Sequence, residues 1–119
     1  MTEARDITLS THVLDTSTGT PAAGVAITLE RVGDDGTGRR IGGGITDGDG
    51  RARDIIAAGS ALASGSYRLR FETGAWFARS GRRTFFPDVS IHFSVGEEPS
   101  HYHVPLLISP FGYSTYRGS

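Results

Sequence analysis

The chain contains no cysteine, which removes disulfides, Cys-ligated zinc and thiol nucleophiles together and leaves His, Ser, Asp, Glu and Arg as the available chemistry. It also lacks any apolar run approaching the roughly 20 residues that a bilayer-spanning helix needs. Neither sign of charge prevails: 12 Lys and Arg stand against 13 Asp and Glu, for a formal net charge of -1. No global field would therefore draw nucleic acid or an anionic membrane to the surface, and neither partner is expected. The opening residues, Met1 to Asp6, carry acids and no apolar h-region, so no secretory signal is read there and the cytoplasm is the expected address. With 119 residues, 37% hydrophobic and 21% charged, the composition is that of a globular protein with room for one domain, 1–119, and no second core.

What is present is a period of two. Ile7, Leu9, Thr11 and Val13 form one face of a first run, with Thr8, Ser10 and His12 opposite. Val25, Ile27 and Leu29 alternate with Ala26, Thr28 and Glu30, and Tyr67, Leu69 and Phe71 with Arg68, Arg70 and Glu72. Val89, Ile91, Phe93 and Val95 alternate with Ser90, His92 and Ser94. Such alternation marks strands that bury one face, and it points to antiparallel pairing. Turn signals punctuate the runs at Gly33-Asp34-Asp35-Gly36, Asp47-Gly48-Asp49-Gly50, Ala63-Ser64-Gly65 and Gly96-Glu97-Glu98-Pro99, and 17 glycines fit many tight turns. Short strands so separated predict an all-β sandwich. Gly74 to Ser80 reads as one short helix, while Ile55 to Ala63 reads as loop or edge structure.

The segment His101-Tyr102-His103-Val104-Pro105-Leu106-Leu107-Ile108 divides sharply by parity. If Tyr102, Val104, Leu106 and Ile108 enter the core, His101, His103, Pro105 and Leu107 share the outer face. That mixture suits a polar groove or a subunit interface better than open water. Pro105 lacks a ladder donor, which predicts an edge position or a bulge. Parity also turns His12 outward, and pairing of the two terminal strands would bring it toward His103.

Several chemistries are compatible with these residues. Alone, each histidine reads as a solvated or locally hydrogen-bonded ring. His101, His103 and His12 together also fit a three-histidine zinc site with an open position for water. Asp47-Gly48-Asp49-Gly50-Arg51 resembles a calcium loop until Arg51 stands where a ligand is needed, so a plain turn is expected. Gly42-Gly43-Gly44 lacks the lysine and the strand-to-helix context of a phosphate loop and reads as strand flexibility or a bulge. No Gly-x-Ser-x-Gly elbow occurs, and a nucleophile at Ser119 would be poorly held, so covalent catalysis is not expected.

Four segments taken together resemble the 5-hydroxyisourate hydrolases of the transthyretin-like family: Leu9-Ser10-Thr11-His12-Val13-Leu14-Asp15, Thr46-Asp47-Gly48-Asp49-Gly50-Arg51, His101 to Leu107, and Tyr116-Arg117-Gly118-Ser119. Shorter matches at Gly19-x-Pro21-Ala22, Gly65-x-Tyr67 and Phe85-Phe86-Pro87 extend the likeness across nearly the whole chain. A departure is Gly48-Asp49, where an asparagine-containing turn is common in the family. The resemblance implies a transthyretin-like sandwich of two four-stranded sheets with one short helix. It further implies a homotetramer, a dimer of dimers with active sites in the groove between dimers. It assigns the site to His12, Arg51, His103 and Ser119, with Tyr116 and Arg117 joining them in binding substrate. His101 receives no role, and His92 is read as solvated surface.

The reaction so implied opens the six-membered ring of 5-hydroxyisourate at the N1–C6 acyl bond, giving 2-oxo-4-hydroxy-4-carboxy-5-ureidoimidazoline. A neutral imidazole, with its unperturbed pKa of about 6.5, can take a proton from water near neutrality. A guanidinium beside it would disfavour the imidazolium and stabilise an oxyanion. His12 and His103 are expected to activate water or shuttle its protons, Arg51 to clamp substrate and Ser119 to orient it, with no metal and no cofactor. The rival reading is a transthyretin-type small-molecule carrier on the same fold. Carriers of that kind lack the paired histidines and the Tyr-Arg-Gly-Ser ending.

Overall fold

The computed structural model describes residues 7–56 and 62–118. Nine strands and one helix follow in the order β1 (Thr8–Asp15), β2 (Thr20–Pro21), β3 (Ala26–Val32), β4 (Gly38–Ile45), β5 (Arg51–Ala52), β6 (Gly65–Phe71), α1 (Thr73–Arg79), β7 (Val89–Val95), β8 (His101–Ser109) and β9 (Gly112–Thr115). One sheet has the order β4-β3-β6-β7, and the other β2-β1-β8-β9 with β5 also on β1. Because β8 lines one edge of β1 from Thr8 to Asp15, the two-residue strands β2 and β5 share its other edge, at Leu14–Asp15 and Thr11–His12. Both sheets are thus four strands wide, as expected. Among the described residues no helix is long and apolar enough to cross a membrane.

The alternating residues do what their parity predicts. Ile7, Leu9, Thr11 and Val13 are buried on β1, Tyr67, Leu69 and Phe71 on β6, and one contiguous apolar core fills the space between the sheets. Thr11 is tolerated in that core because its hydroxyl donates to the Val104 carbonyl on β8, satisfying the polar group. The turn at 33–36 closes the β3–β4 hairpin through the Gly33 N–H to Thr37 carbonyl bond of 2.9 Å. Beyond it, Ile41 stands unopposed between the pairs Leu29↔Gly42 and Glu30↔Arg40, a bulge next to the glycine run. The segment at Ile55–Ile56 crosses that run, bridging Gly42 and accepting from the Gly43 N–H; within the rest of the ambiguous stretch Leu62 is buried, and 57–61 lie outside the described residues.

Helix α1 is one residue longer at its start than its sequence suggests and ends one residue sooner. It buries Phe77 against the sandwich, and the Arg82 guanidinium lies 4.8 Å over that ring while reaching Asp15 Oδ2 at 2.6 Å. Asp15 is 1% exposed and ends β1, so this ion pair ties the segment that follows α1 to a central strand of the β2-β1-β8-β9 sheet. Burial on its own would raise the Asp15 carboxyl, but hydrogen bonds from Ser17 and Arg82 outweigh it and hold the group below the usual carboxylate range.

Two expectations need correction. The strand pair that carries both candidate histidines, β1 and β8, is parallel, in the register Thr8↔His101, Ser10↔His103, His12↔Pro105. Alternation records which face a strand buries, not the direction of its neighbour, and here both strands bury the same parity. Pro105 is also not on an edge, since β8 lies between β1 and β9. The His103 and Pro105 carbonyls both point toward β9, accepting from the Gly118 N–H and the Thr115 hydroxyl. The nitrogen of Pro105 therefore faces that side too. Strand β9 stops at Thr115, opposite Leu106, and pairing resumes in the same register at His103↔Gly118. The missing donor is accommodated by a gap in the ladder at Tyr116–Arg117.

Candidate active site

The parallel register sets the site. Same-parity residues of β1 and β8 share the outer face of the sheet, so Ser10 stands beside His103 and His12 beside Pro105. On the far edge of β1, β5 pairs antiparallel with Arg51 directly opposite His12, and directly opposed residues project to one face. His12, Arg51 and His103 are thus assembled from three strands that are remote in sequence.

Arg51 owes its position to the turn before it. The Asp47 carboxylate accepts from the Arg51 and Asp49 backbone N–H groups at 3.0 and 2.9 Å, and the Arg51 bond, then the Asp49 one, hold its carboxyl below the ordinary range. Gly50 closes the turn at φ 76°, a left-handed conformation that glycine adopts freely. The Gly50 carbonyl then accepts from the Val13 N–H at 2.7 Å, docking the turn on β1. The same turn also reaches His12, because the Asp49 backbone carbonyl lies 2.8 Å from His12 Nε2. A carbonyl only accepts, so His12 carries its proton on Nε2 and keeps its lone pair on Nδ1.

His103 is half-buried. Its Nδ1 lies 2.8 Å from the Ser10 hydroxyl, and among the described residues its Nε2 has no protein hydrogen-bond partner. Burial first, then the charges of Arg51, His101 and His12, push its imidazole below the usual histidine range, against an opposing contribution from hydrogen bonding to Ser10. Arg51 and His12 share the outer sheet face with this ring. Gly118 covers the ring from the C-terminal segment and donates its N–H to the His103 carbonyl at 2.8 Å. A side chain there would collide with the imidazole.

The other sequence-derived positions are distributed as follows. Tyr116 is 60% exposed, and the Arg117 guanidinium lies 4.7 Å over the Tyr102 ring. Both line, with His92 and His103, a cleft of about 330 Å³. Arg51 and Asp47 line a separate cleft of about 390 Å³ that shares no residue with the first. Ser119 lies outside the described residues. His92 is exposed on β7. No group of three or more His, Cys, Asp or Glu converges as a metal would require among the described residues. Sequence reasoning missed Ser10 and Thr8, whose hydroxyls bind His101 and, for Ser10, His103. The signal was available, since Thr8, Ser10 and His12 share one parity of β1.

Two four-wide sheets in this strand order, one short helix and an imidazole–guanidinium set on the outer sheet face define a transthyretin-like sandwich. The chain belongs to the HIUase/Transthyretin family, whose profile matches residues 9–118. It is 46% identical over 111 residues to the 5-hydroxyisourate hydrolase of Salmonella typhimurium, covering 93% of this chain and 80% of that protein. The structure of Klebsiella pneumoniae 5-hydroxyisourate hydrolase superposes with a TM-score of 0.81 at 47% identity, covering 94% of this chain and 99% of that one. Sea bream transthyretin in complex with thyroxine gives a TM-score of 0.84 at 32% identity, covering 92% and 93%. Backbone shape does not separate hydrolase from carrier, because both scores describe the shared scaffold. The difference in identity does separate them, in favour of the hydrolases.

Proposed function

We propose that the chain is an enzyme that hydrolyses 5-hydroxyisourate in urate breakdown, with a water activated by histidine and an oxyanion stabilised by arginine. The observation that carries this reading is the meeting of His12, Arg51 and His103 on one outer sheet face, with the electrostatics of His103 tuned by the other two. His103 is the base. Its depressed basicity keeps it neutral near pH 7, and Nε2 is the nitrogen open to take a proton from water. Attack of that water at C6 forms a tetrahedral oxyanion, to which Arg51 supplies charge-assisted donors. Collapse breaks the C6–N1 bond, N1 takes up the second proton of the attacking water, and C6, still bonded to C5, becomes the carboxylate. His12, held by the Asp49 carbonyl, fixes the opposite side of the substrate through Nδ1.

Ser119, Tyr116 and Arg117 complete substrate binding in this reading. A single chain leaves His103 and Arg51 in two separate clefts. We place the substrate in a groove closed by further copies in a homotetramer, which the exposed Phe111, Tyr113 and Tyr116 support. Light scattering tests the assembly. The activity is tested by following the ultraviolet absorbance of freshly generated 5-hydroxyisourate with and without the protein. Decay no faster than in buffer would defeat the proposal.

A further inference from the structure

The half of the outer face that the mechanism leaves unused carries an unbroken chain of hydrogen bonds. Thr8 Oγ1 lies 2.6 Å from His101 Nδ1, Ser10 Oγ lies 2.8 Å from His101 Nε2, and the same Ser10 Oγ lies 2.8 Å from His103 Nδ1. The two rings are near-parallel, at 18° with centroids 6.5 Å apart. His103 is half-buried whereas His101 is exposed. We propose that Ser10 and His101 form a proton relay that sets the tautomer of His103 and carries the proton it gains to solvent.

A hydroxyl has one proton to give, so Ser10 donates to one ring and accepts from the other. The tautomers of the two rings are therefore linked. In the base-competent arrangement, His103 Nδ1–H donates to Ser10, the Ser10 hydroxyl donates to His101 Nε2, and His101 Nδ1–H donates to Thr8. This arrangement leaves the lone pair on His103 Nε2, where the mechanism requires it. When Nε2 takes a proton from water, the Nδ1 proton passes to Ser10 Oγ while the Ser10 proton passes to His101 Nε2. The positive charge then rests on the exposed ring, away from the Arg51 guanidinium and the His12 ring, the titratable groups that face His103 from β5 and β1. His103 becomes neutral with its proton on Nε2.

The direction of transfer follows from the surroundings. Burial and the neighbouring positive charges disfavour an imidazolium at His103, whereas His101 is exposed to water that stabilises one. Hydrolysis of a cyclic amide to a carboxylate at neutral pH also releases a proton beyond the one taken up by the departing nitrogen, and an exposed imidazole passes it to buffer. Ser10 and His101 are positioning and relay residues; neither touches the substrate.

This inference rests on the hydrolase reading, but the two are separable. Ser10→Ala is expected to lower kcat about 10-fold with KM changed less than about twofold, and Ser10→Thr to restore most of the rate. His101→Ala should show a loss that added imidazole buffer reverses, a response that a purely structural role would not give. Nitrogen-15 NMR of the substrate-free protein provides a readout independent of turnover. The His101 and His103 ring signals should titrate as a coupled pair in the wild type and separately in Ser10→Ala. Independent titration in the wild type, or a wild-type kcat in folded Ser10→Ala, would overturn the relay. An inactive wild type would instead overturn the hydrolase reading, with the NMR still deciding whether the rings are coupled.

Discussion

Gly118 lies against the imidazole of His103, with its N–H bonded to the His103 carbonyl and an added Cβ placed 2.5 Å from His103 Cδ2. The C-terminal segment thus fixes the attitude of the ring from above while Ser10 holds it from the side. Gly118→Ala should tilt the imidazole and lower kcat about 10-fold, since small misplacements of a reacting group are costly. The melting temperature should barely change, because the contact lies outside the core. Steady-state kinetics beside a thermal melt decide this, and an unaltered kcat would show that the ring tolerates displacement.

Removing either imidazole tests the division of labour more directly. His103→Ala should lower turnover by about 10²- to 10⁴-fold with folding retained, the range typical for a general acid or base, and His12→Ala by about 10²-fold, the scale of a misplaced substrate. Far-ultraviolet circular dichroism checks the fold. Full turnover by His103→Ala would transfer the role of base to another group.

The pH profile carries a sign. Burial first, then Arg51, His101 and His12, lower the His103 value from 6.5. A base works only when unprotonated, so activity is present above that lowered value and lost as pH falls through it. In Arg51→Gln one depressing charge is gone, and the acid limb of kcat/KM should move to higher pH even as the maximum drops. A limb that stays in place or moves down would separate Arg51 from His103.

Stability has a different acid dependence, centred on Asp15 and Arg82. Arg82→Ala leaves a carboxylate that is 1% exposed with only Ser17 as partner. It should cost about 2 kcal/mol in urea unfolding, the scale of a lost hydrogen bond to a charged group. Because the folded carboxyl is held below its ordinary value of 3.8, the contribution is complete above that value and disappears as pH falls through the folded one. The difference between wild type and variant should therefore narrow in acid below about pH 4, whereas a difference independent of pH would assign the loss to packing of Arg82 on Trp76 and Phe77.

Much of this arrangement was legible in the sequence because burial leaves a period. The buried faces of β1, β3, β6 and β7 were readable residue by residue, and so was the outward turn of His12 and His103. Direction was not, because a strand's alternation is the same whichever way its neighbour runs, and the parallel pairing of β1 with β8 decides that Ser10 meets His103. Pro105 misled for a related reason. A residue without a donor can sit inside a sheet if the ladder has a gap on the right side, and that gap depends on where Tyr116 and Arg117 lie. Motif resemblance located Arg51, but only the docking of the 47–50 turn on Val13 explains how it comes to face His12. The hydroxyls of Thr8 and Ser10 carried no motif of their own and became legible only once both rings were placed.

The parallel pairing also governs when the molecule can come into being. Ser10 and His103 are 93 positions apart, and β1 finds its long-range partner only after β8 has been synthesised. Until then a nascent chain holds the first strand with one edge bare, exposed to the mispairing that such edges invite. Closing so long a loop makes this a late and slow step of maturation. The reactive constellation therefore cannot assemble before β8 is available, and chains truncated ahead of it should be both inert and prone to aggregate.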